Sequence, residues 1–401
     1  MVREGDFRLG SAAPQLEPPR PALSEPPPRG RWRRIRKGLS FALLVLVVGF
    51  VALETQLRVT NVPGNVLAVI RDFRTADTRL GWRGRPNVRL RFRQNAFDVV
   101  IEHDDEGFRR PDPPPPANAS RHLLFLGDSL LWGWGVAQGE ILTDVLQRDL
   151  APNVAVYNRA VSTYGTGQEL ILLEQLLERR DYDAVVLIYS RTDPGDNLEQ
   201  NFHRRPVFAM VDGKLSQLNS VLPGEDAGYR LMHWMRDHSL AFCFLDTEVR
   251  RVQQWLHPKR APEDWREFAV SSTAGPRELP GYELTRELLR AMSERARARG
   301  ARFIIAYQPT FAFPDEAGEV APRSARALIE TACADTGIPF VDLGAGFVGT
   351  RDELTFAGDG HWTARGHLLV AETLRRSQIF QAAVEGAGGA PNVPDAAPPG
   401  A

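Results

Sequence analysis

Read for the spacing of its apolar residues, the chain changes character several times. From residue 119 onward, short β-rich apolar runs alternate with stretches of helical period. The runs are Leu123–Leu126, Val154–Tyr157, Ala184–Tyr189, Arg302–Tyr307 and Pro339–Leu343; the helical stretches include Gln168–Arg180, Leu284–Arg299 and Arg323–Thr336. Strands that read as continuously apolar are buried on both faces, which predicts a parallel sheet sandwiched between helices. Such a set of strands suits a three-layer α/β/α domain of flavodoxin-like type, whose ligands bind beyond the carboxyl ends of the strands.

The flanking regions lack that rhythm. Val88-Arg89-Leu90-Arg91-Phe92-Arg93 and Asp98-Val99-Val100-Ile101-Glu102 alternate like short strands, and Pro111-Asp112-Pro113-Pro114-Pro115-Pro116 forms a stiff break. Residues 55–118 therefore read as a membrane-proximal collar with a Pro-rich linker, carrying no catalytic pattern. The interval 198–280 breaks the alternation again, with Trp234, Trp255, Trp265, prolines and a helical stretch near Leu245–Leu256. It reads as an insertion over the active-site face and as the source of substrate choice, within a main domain spanning 119–382. Residues 383–401, rich in Gly, Ala and Pro, read as a disordered tail.

At the amino terminus, residues 1–37 form a Pro- and Arg-rich tail that cannot build a core. Arg29, Arg31, Arg33, Arg34, Arg36 and Lys37 then precede the uncharged run Gly38–Leu53. That run of 16 residues falls just short of the ~17–25 of a spanning helix. Snorkelling by Arg36 and Lys37 can cover the difference. A cleaved signal peptide or a buried helix are the rival readings. The long leader and the lack of an A-x-A-like site near Val51–Gln56 favour an uncleaved transmembrane anchor over 38–54. The positive-inside rule then gives a single-pass protein of the inner (cytoplasmic) membrane with its main domain outside the cytoplasm.

Charge and cysteine content narrow the partners. A formal net charge of -1 supplies no global field for nucleic acid, so none is expected as a partner. The basic cluster abuts an apolar run, which favours a topogenic role over a nucleic-acid patch. Cys243 and Cys333 read as buried free thiols, with one disulfide between them as the alternative.

The candidate chemistry lies in two places far apart in sequence. Leu123–Leu126 ends in Gly127-Asp128-Ser129, and Asp359-Gly360-His361-Trp362 follows much later. A serine at a strand-to-helix turn exposes its oxygen and directs backbone N–H groups at a developing oxyanion. His361 is the candidate base, with Asp359 to fix its tautomer. Alternatively, Ser129 is only a helix N-cap, or Asp359, His361 and His367 bind a metal. Soft ligands and a His-x-x-x-His pair are absent from that set, so no metal is expected. No Gly-x-Ser-x-Gly elbow and no Gly-rich phosphate loop is present, which argues against an α/β-hydrolase and against a nucleotide cofactor.

Taken together, these segments resemble the SGNH hydrolases, the GDSL-like lipase/acylhydrolase family, over residues 119 to 382. Leu123–Ser129 resembles the family's first block, Asn158–Thr166 the second, Tyr189–Asn197 the third, and Asp359–His361 with Gly366-His367 the last. Leu80–Asn87 and Glu106-Gly107-Phe108-Arg109 are similar to motifs preceding the domain in membrane-anchored bacterial members. The resemblance implies a Ser129 nucleophile, a His361 base held by Asp359, and an oxyanion hole including the Ser129 amide. Thr163 stands where the family usually has an oxyanion glycine. Thr192, followed by Asp193, stands where it has an oxyanion asparagine; Asn197 is a loop-ordering or substituting group.

Three functions are compatible with this resemblance. The first is an esterase acting on an ester-bearing small molecule, lipid or glycan, without a cofactor. The second is an O-acyltransferase acting on a cell-surface polysaccharide. The third is a catalytically impaired binding module.

Overall fold

The uncharged amino-terminal run is the middle of one long helix, α1 (Arg29–Thr60). The structure is a computed structural model and describes residues 29–60, 73–94, 96–198, 205–219, 231, 234–235, 238–256, 275–279, 281–308, 320–346, 351–356 and 360–386. The chain divides into two compact units, Met1–Gln56 and Leu57–Ala401. Helix α1 continues through Lys37 on one side and Glu54 on the other, so flanking turns make up the shortfall of the uncharged run. Its 32 residues span about 48 Å at ~1.5 Å each. Leu39, Leu43, Leu46 and Val48 are exposed along it, and it is long and apolar enough to cross a membrane.

The second unit opens with two antiparallel hairpins, β1–β2 (Arg74–Asp77, Gly81–Gly84) and β3–β4 (Arg89–Gln94, Phe97–Glu102). Their alternation follows the two-residue period of a strand: Phe92, Phe97 and Ile101 point inward while Arg89, Arg91 and Arg93 face water. Gly84 of β2 meets Gly107, in the turn after β4, backbone to backbone. A Cβ on Gly84 would lie 1.7 Å from the Gly107 carbonyl oxygen, and Gly107 itself has φ +90°. Any side chain at either position would force the two segments apart.

The main sheet follows. In chain order its unit comprises β5 (Arg121–Leu126), α2 (Ser129–Trp132), α3 (Leu142–Asp149), β6 (Val154–Asn158), α4 (Thr166–Leu177), β7 (Ala184–Tyr189) and α5 (Asp193–Leu198). Then come the hairpin β8–β9 (Phe208–Val211, Lys214–Gln217), α6 (Leu240–Leu256), α7 (Tyr282–Ala298), β10 (Arg302–Tyr307) and α8 (Val320–Thr336). Last are β11 (Phe340–Asp342), α9 (Arg351–Leu354), α10 (Ala364–Arg376) and α11 (Gln378–Glu385). The five strands are parallel and lie in the order β11–β10–β7–β5–β6. This is the flavodoxin-like order, with its switch point between β5 and β7.

Alternate strand residues feed two cores. Leu124, Leu126 and Leu187 pack with Leu173, Leu288 and Leu328 of α4, α7 and α8. Leu123, Phe125 and Val186 pack with Leu146, Val370 and Phe380 of α3, α10 and α11. Three layers result, because each strand is apolar on both faces. Each fully buried Leu or Val contributes about 1.5–3 kcal/mol of burial.

Two boundaries differ from the sequence reading. The collar packs into the cores rather than standing apart: Leu80, Trp82 and Phe108 join one, and Phe73, Phe92 and Ile101 the other. The tail begins later than residue 383. Ala383 is wholly buried and α11 runs to Glu385, because Phe380 and Ala383 fall on one helical face and Arg121 Nη2 donates to the Ala383 carbonyl at 2.7 Å. In the interval 198–280, Trp265 lies outside the described residues, while α6 matches the expected helical stretch.

Candidate active site

Two strand ends meet at the switch point. β5 leads into Gly127-Asp128-Ser129, and β7 into Ser190–Asp193. Asp128 caps α2 by accepting the Leu130 N–H at 2.9 Å. The cap therefore falls on Asp128, leaving the Ser129 hydroxyl for other use. That hydroxyl lies 2.8 Å from His361 Nε2, joining residues 232 apart in sequence.

His361 is held from several sides. The Trp134 ring stacks on it, with centroids 5.3 Å apart and planes 23° from parallel. The His361 carbonyl accepts the Phe356 N–H at 2.9 Å, and Thr355 bridges to Trp362, which is buried. Thr363 then caps α10 through the Gly366 N–H. Asp359 lies outside the described residues. His367 is buried, its Nδ1 accepting the Leu142 N–H at 3.1 Å, and burial pushes its pKa down to about 3. It ties α10 to α3. Among the described residues no His, Cys, Asp and Glu cluster could hold a metal ion. Both cysteines are buried, and they form no disulfide with each other.

The segment Val161–Gly165 starts beside the Gly127-Asp128-Ser129 turn, where the Val161 N–H donates to the Gly127 carbonyl at 3.2 Å. Thr163 has φ +65°, the left-handed conformation that a glycine takes without strain. A non-glycine residue there costs roughly 1–2 kcal/mol. Among the described residues, neither the Ser129 nor the Thr163 amide donates to another group. Both remain available to an external acceptor.

The β7 end forms a small hydroxyl chain. Gln308 Nε2 donates to Ser190 Oγ at 2.6 Å, and the Thr192 N–H approaches the same oxygen at 3.3 Å. Ser190 Oγ and Thr192 Oγ1 are 2.9 Å apart. Either of the two hydroxyls can donate to the other. Thr192 is exposed. Asp193 is buried and closes the turn by accepting the Ser190 N–H at 2.7 Å. Asn197 Nδ2 donates to Thr166 Oγ1 at 3.2 Å, so this amide joins α5 to α4.

Beneath these turns sits an acidic group that the sequence did not disclose. Burial raises the Asp128 pKa to about 6, with Asp196 pushing the same way and His361 pulling down. Glu169 is buried with both carboxyl oxygens unbonded, and burial, then Asp128 and Asp196, hold it well above the ordinary carboxylate range. Asp193 is held high for the same reasons, with Glu169 its strongest charged neighbour. A glutamate inside the apolar helix Thr166–Leu177 was the one available signal.

Collar residues also reach the site. Arg109, fully buried, donates to the Trp132, Gly133 and Val136 carbonyls at 3.3, 3.0 and 2.9 Å, fixing the turn that carries Trp134. His103 accepts from Trp132 Nε1 at 3.2 Å, and burial lowers its pKa to about 4, keeping it neutral. Arg109 belongs to the Glu106-Gly107-Phe108-Arg109 motif, whose part in the site the sequence did not show.

No family model and no curated protein matches the chain. Solved structures resemble it at low identity. TesA is 15% identical over 64% of this chain and 96% of its own, with a TM-score of 0.37. The psychrotrophic esterase EstA from Pseudoalteromonas sp. is 14% identical over 64% and 95%, with a TM-score of 0.35. A member of the lipolytic protein G-D-S-L family from Veillonella parvula is 13% identical over 64% and 97%, with a TM-score of 0.36. Likenesses this distant carry no argument about activity or substrate.

Proposed function

We propose that this chain is an SGNH-type hydrolase of carboxylic esters, acting through a Ser129 acyl-enzyme. The observation that carries the reading is the 2.8 Å contact between Ser129 Oγ and His361 Nε2 at the sheet's switch point. In the first step Nε2 takes the hydroxyl proton while Oγ attacks the ester carbonyl carbon. The tetrahedral oxyanion is received by the Ser129 and Thr163 amides and the Thr192 hydroxyl. Its collapse breaks the bond to the alcohol oxygen, which takes the proton from His361. Water then repeats the sequence on the acyl-serine and frees the acid. Asp359 is the proposed carboxylate on Nδ1, and Asp193 and Asn197 order the loop around Thr192.

Helix α1 is proposed as an uncleaved anchor in the cytoplasmic membrane, with the basic tail inside and the catalytic unit outside. Its substrate is then an ester-bearing small molecule, lipid or glycan on that side. The test is hydrolysis of p-nitrophenyl acetate by the full chain in detergent, beside Ser129→Ala. Release of acid by the wild type alone, with fluorophosphonate labelling of Ser129, is the expected result. Equal rates in the two proteins would sink the reading. Transfer of the acetyl group to an added glycan, in place of free acetate, would reassign it as an acyltransferase.

A further inference from the structure

The collar hydrogen-bonds a peptide group of the oxyanion segment. Arg74 Nη2, at the start of β1, donates to the Ser162 carbonyl at 2.6 Å and lies 3.2 Å from Ser162 Oγ. Trp82 Nε1, in β2, reaches the same carbonyl at 3.4 Å. That carbonyl and the Thr163 N–H belong to one planar trans peptide, so they point in opposite directions. A donor fixed on the oxygen therefore aims the N–H, and a charged donor also draws electron density from it.

The neighbouring groups are held too. Arg205 Nη2 donates to the Thr163 carbonyl at 2.7 Å, and the Tyr164 hydroxyl donates to the Trp82 carbonyl at 2.6 Å. The Arg74 guanidinium sits 5.2 Å from the Trp82 ring centre. A threonine keeps a left-handed φ only where its surroundings over-determine it. These contacts supply that constraint on both sides of Thr163.

We infer that Arg74 is a positioning residue of the oxyanion hole, holding the Ser162–Thr163 peptide so that its N–H faces the developing charge, with Trp82 as the weaker second donor. The inference rests on the ester-hydrolase reading. It gives the segment before the sheet a part in the chemistry: the hole is complete only when the β1–β2 hairpin is docked.

The experiment uses the full chain in detergent, p-nitrophenyl acetate as substrate and methylboronic acid as the tetrahedral mimic. Arg74→Met should lower kcat about 10- to 100-fold, below the ~10²–10³ of losing an oxyanion donor outright, because the amide remains but is loosened. KM should stay within about twofold, and boronate affinity should fall by the same factor as kcat/KM. Arg74→Lys, which keeps a charged donor, should recover most of kcat, and Trp82→Phe should cost a few-fold. A merely structural arginine would lower the active fraction and leave the boronate affinity of the remaining enzyme unchanged. A kcat within twofold of wild type in Arg74→Met overturns the inference. If Arg74→Met does not fold, the decision passes to Arg74→Lys and Trp82→Phe, and an unchanged boronate affinity in Trp82→Phe overturns it. Equal wild-type and Ser129→Ala rates remove the underlying reading, and the inference with it.

Discussion

The two walls of the site are built in different ways. The wall carrying the proposed nucleophile and base is made from the sheet's own connections: Ser129 follows β5, His361 precedes α10, and Trp134 stacks against the ring. The oxyanion wall depends on outside support. Thr163 is clamped by Arg74 from the collar and Arg205 from the interval after α5, and Thr192 is hydrogen-bonded to Ser190, which Gln308 contacts in turn. The first wall is lost outright by removing a reacting group, and the collar's Arg109 supports it only through the turn that carries Trp134. The second can be weakened from a distance, by residues that never touch substrate.

Removing a reacting group should give the largest effect. Ser129→Ala or His361→Ala is expected to cost on the order of 10⁶ in turnover, read by steady-state ester hydrolysis. A residual rate within about tenfold of wild type would erase the distinction between the walls. On the other wall, Thr192→Val removes a hydroxyl and keeps the shape. It should cost roughly 10–10³ in kcat with little change in KM. Thr192→Asn, if its amide reaches the same acceptor, should match or exceed wild type; a fall equal to that of the valine variant would show that the hydroxyl's placement matters.

Glu169 sharpens the comparison through pH. Its pKa is raised by burial, so its contribution to stability is full below the ordinary 4.5 and is lost as pH rises through the folded-state value. Glu169→Gln should therefore raise Tm at pH 8 and change it little near pH 4, measured by thermal unfolding across pH. A Tm gain confined to acidic pH would contradict this. The smallest effect belongs to Thr163→Gly. Relief of left-handed strain is offset by a more flexible unfolded chain, leaving the unfolding free energy changed by about 1 kcal/mol or less. Its kcat should stay within a few-fold, because the amide and not the side chain is the donor; a loss comparable to Thr192→Val would assign the side chain a direct part.

The difference between the walls also marks what the sequence discloses. Strands Ala184–Tyr189 and Arg302–Tyr307 are legible to the residue, because burial on both faces demands an unbroken apolar run. Helix Leu142–Asp149 is not, since Thr143, Asp144 and Gln147 interrupt its apolar stripe. Each is buried against a specific partner: Asn158, the Gly139 amide and the edge of β6 respectively. Ser129 and His361 are visible as residue types at strand and helix ends. The inward roles of Arg74 and Arg109 are not, because no hydrophobic period or spacing shows which guanidinium will be buried. Only the packing of the hairpins shows that these two turn inward.

The pairing of residues 232 apart has a temporal side. A chain made amino terminus first at about 5–20 residues per second leaves roughly 10–50 s between the appearance of Ser129 and that of His361. During that interval the collar, the nucleophile turn and the oxyanion segment are all present, while the serine has no base. On the proposed mechanism, the newborn chain has no activated serine until its last helices arrive.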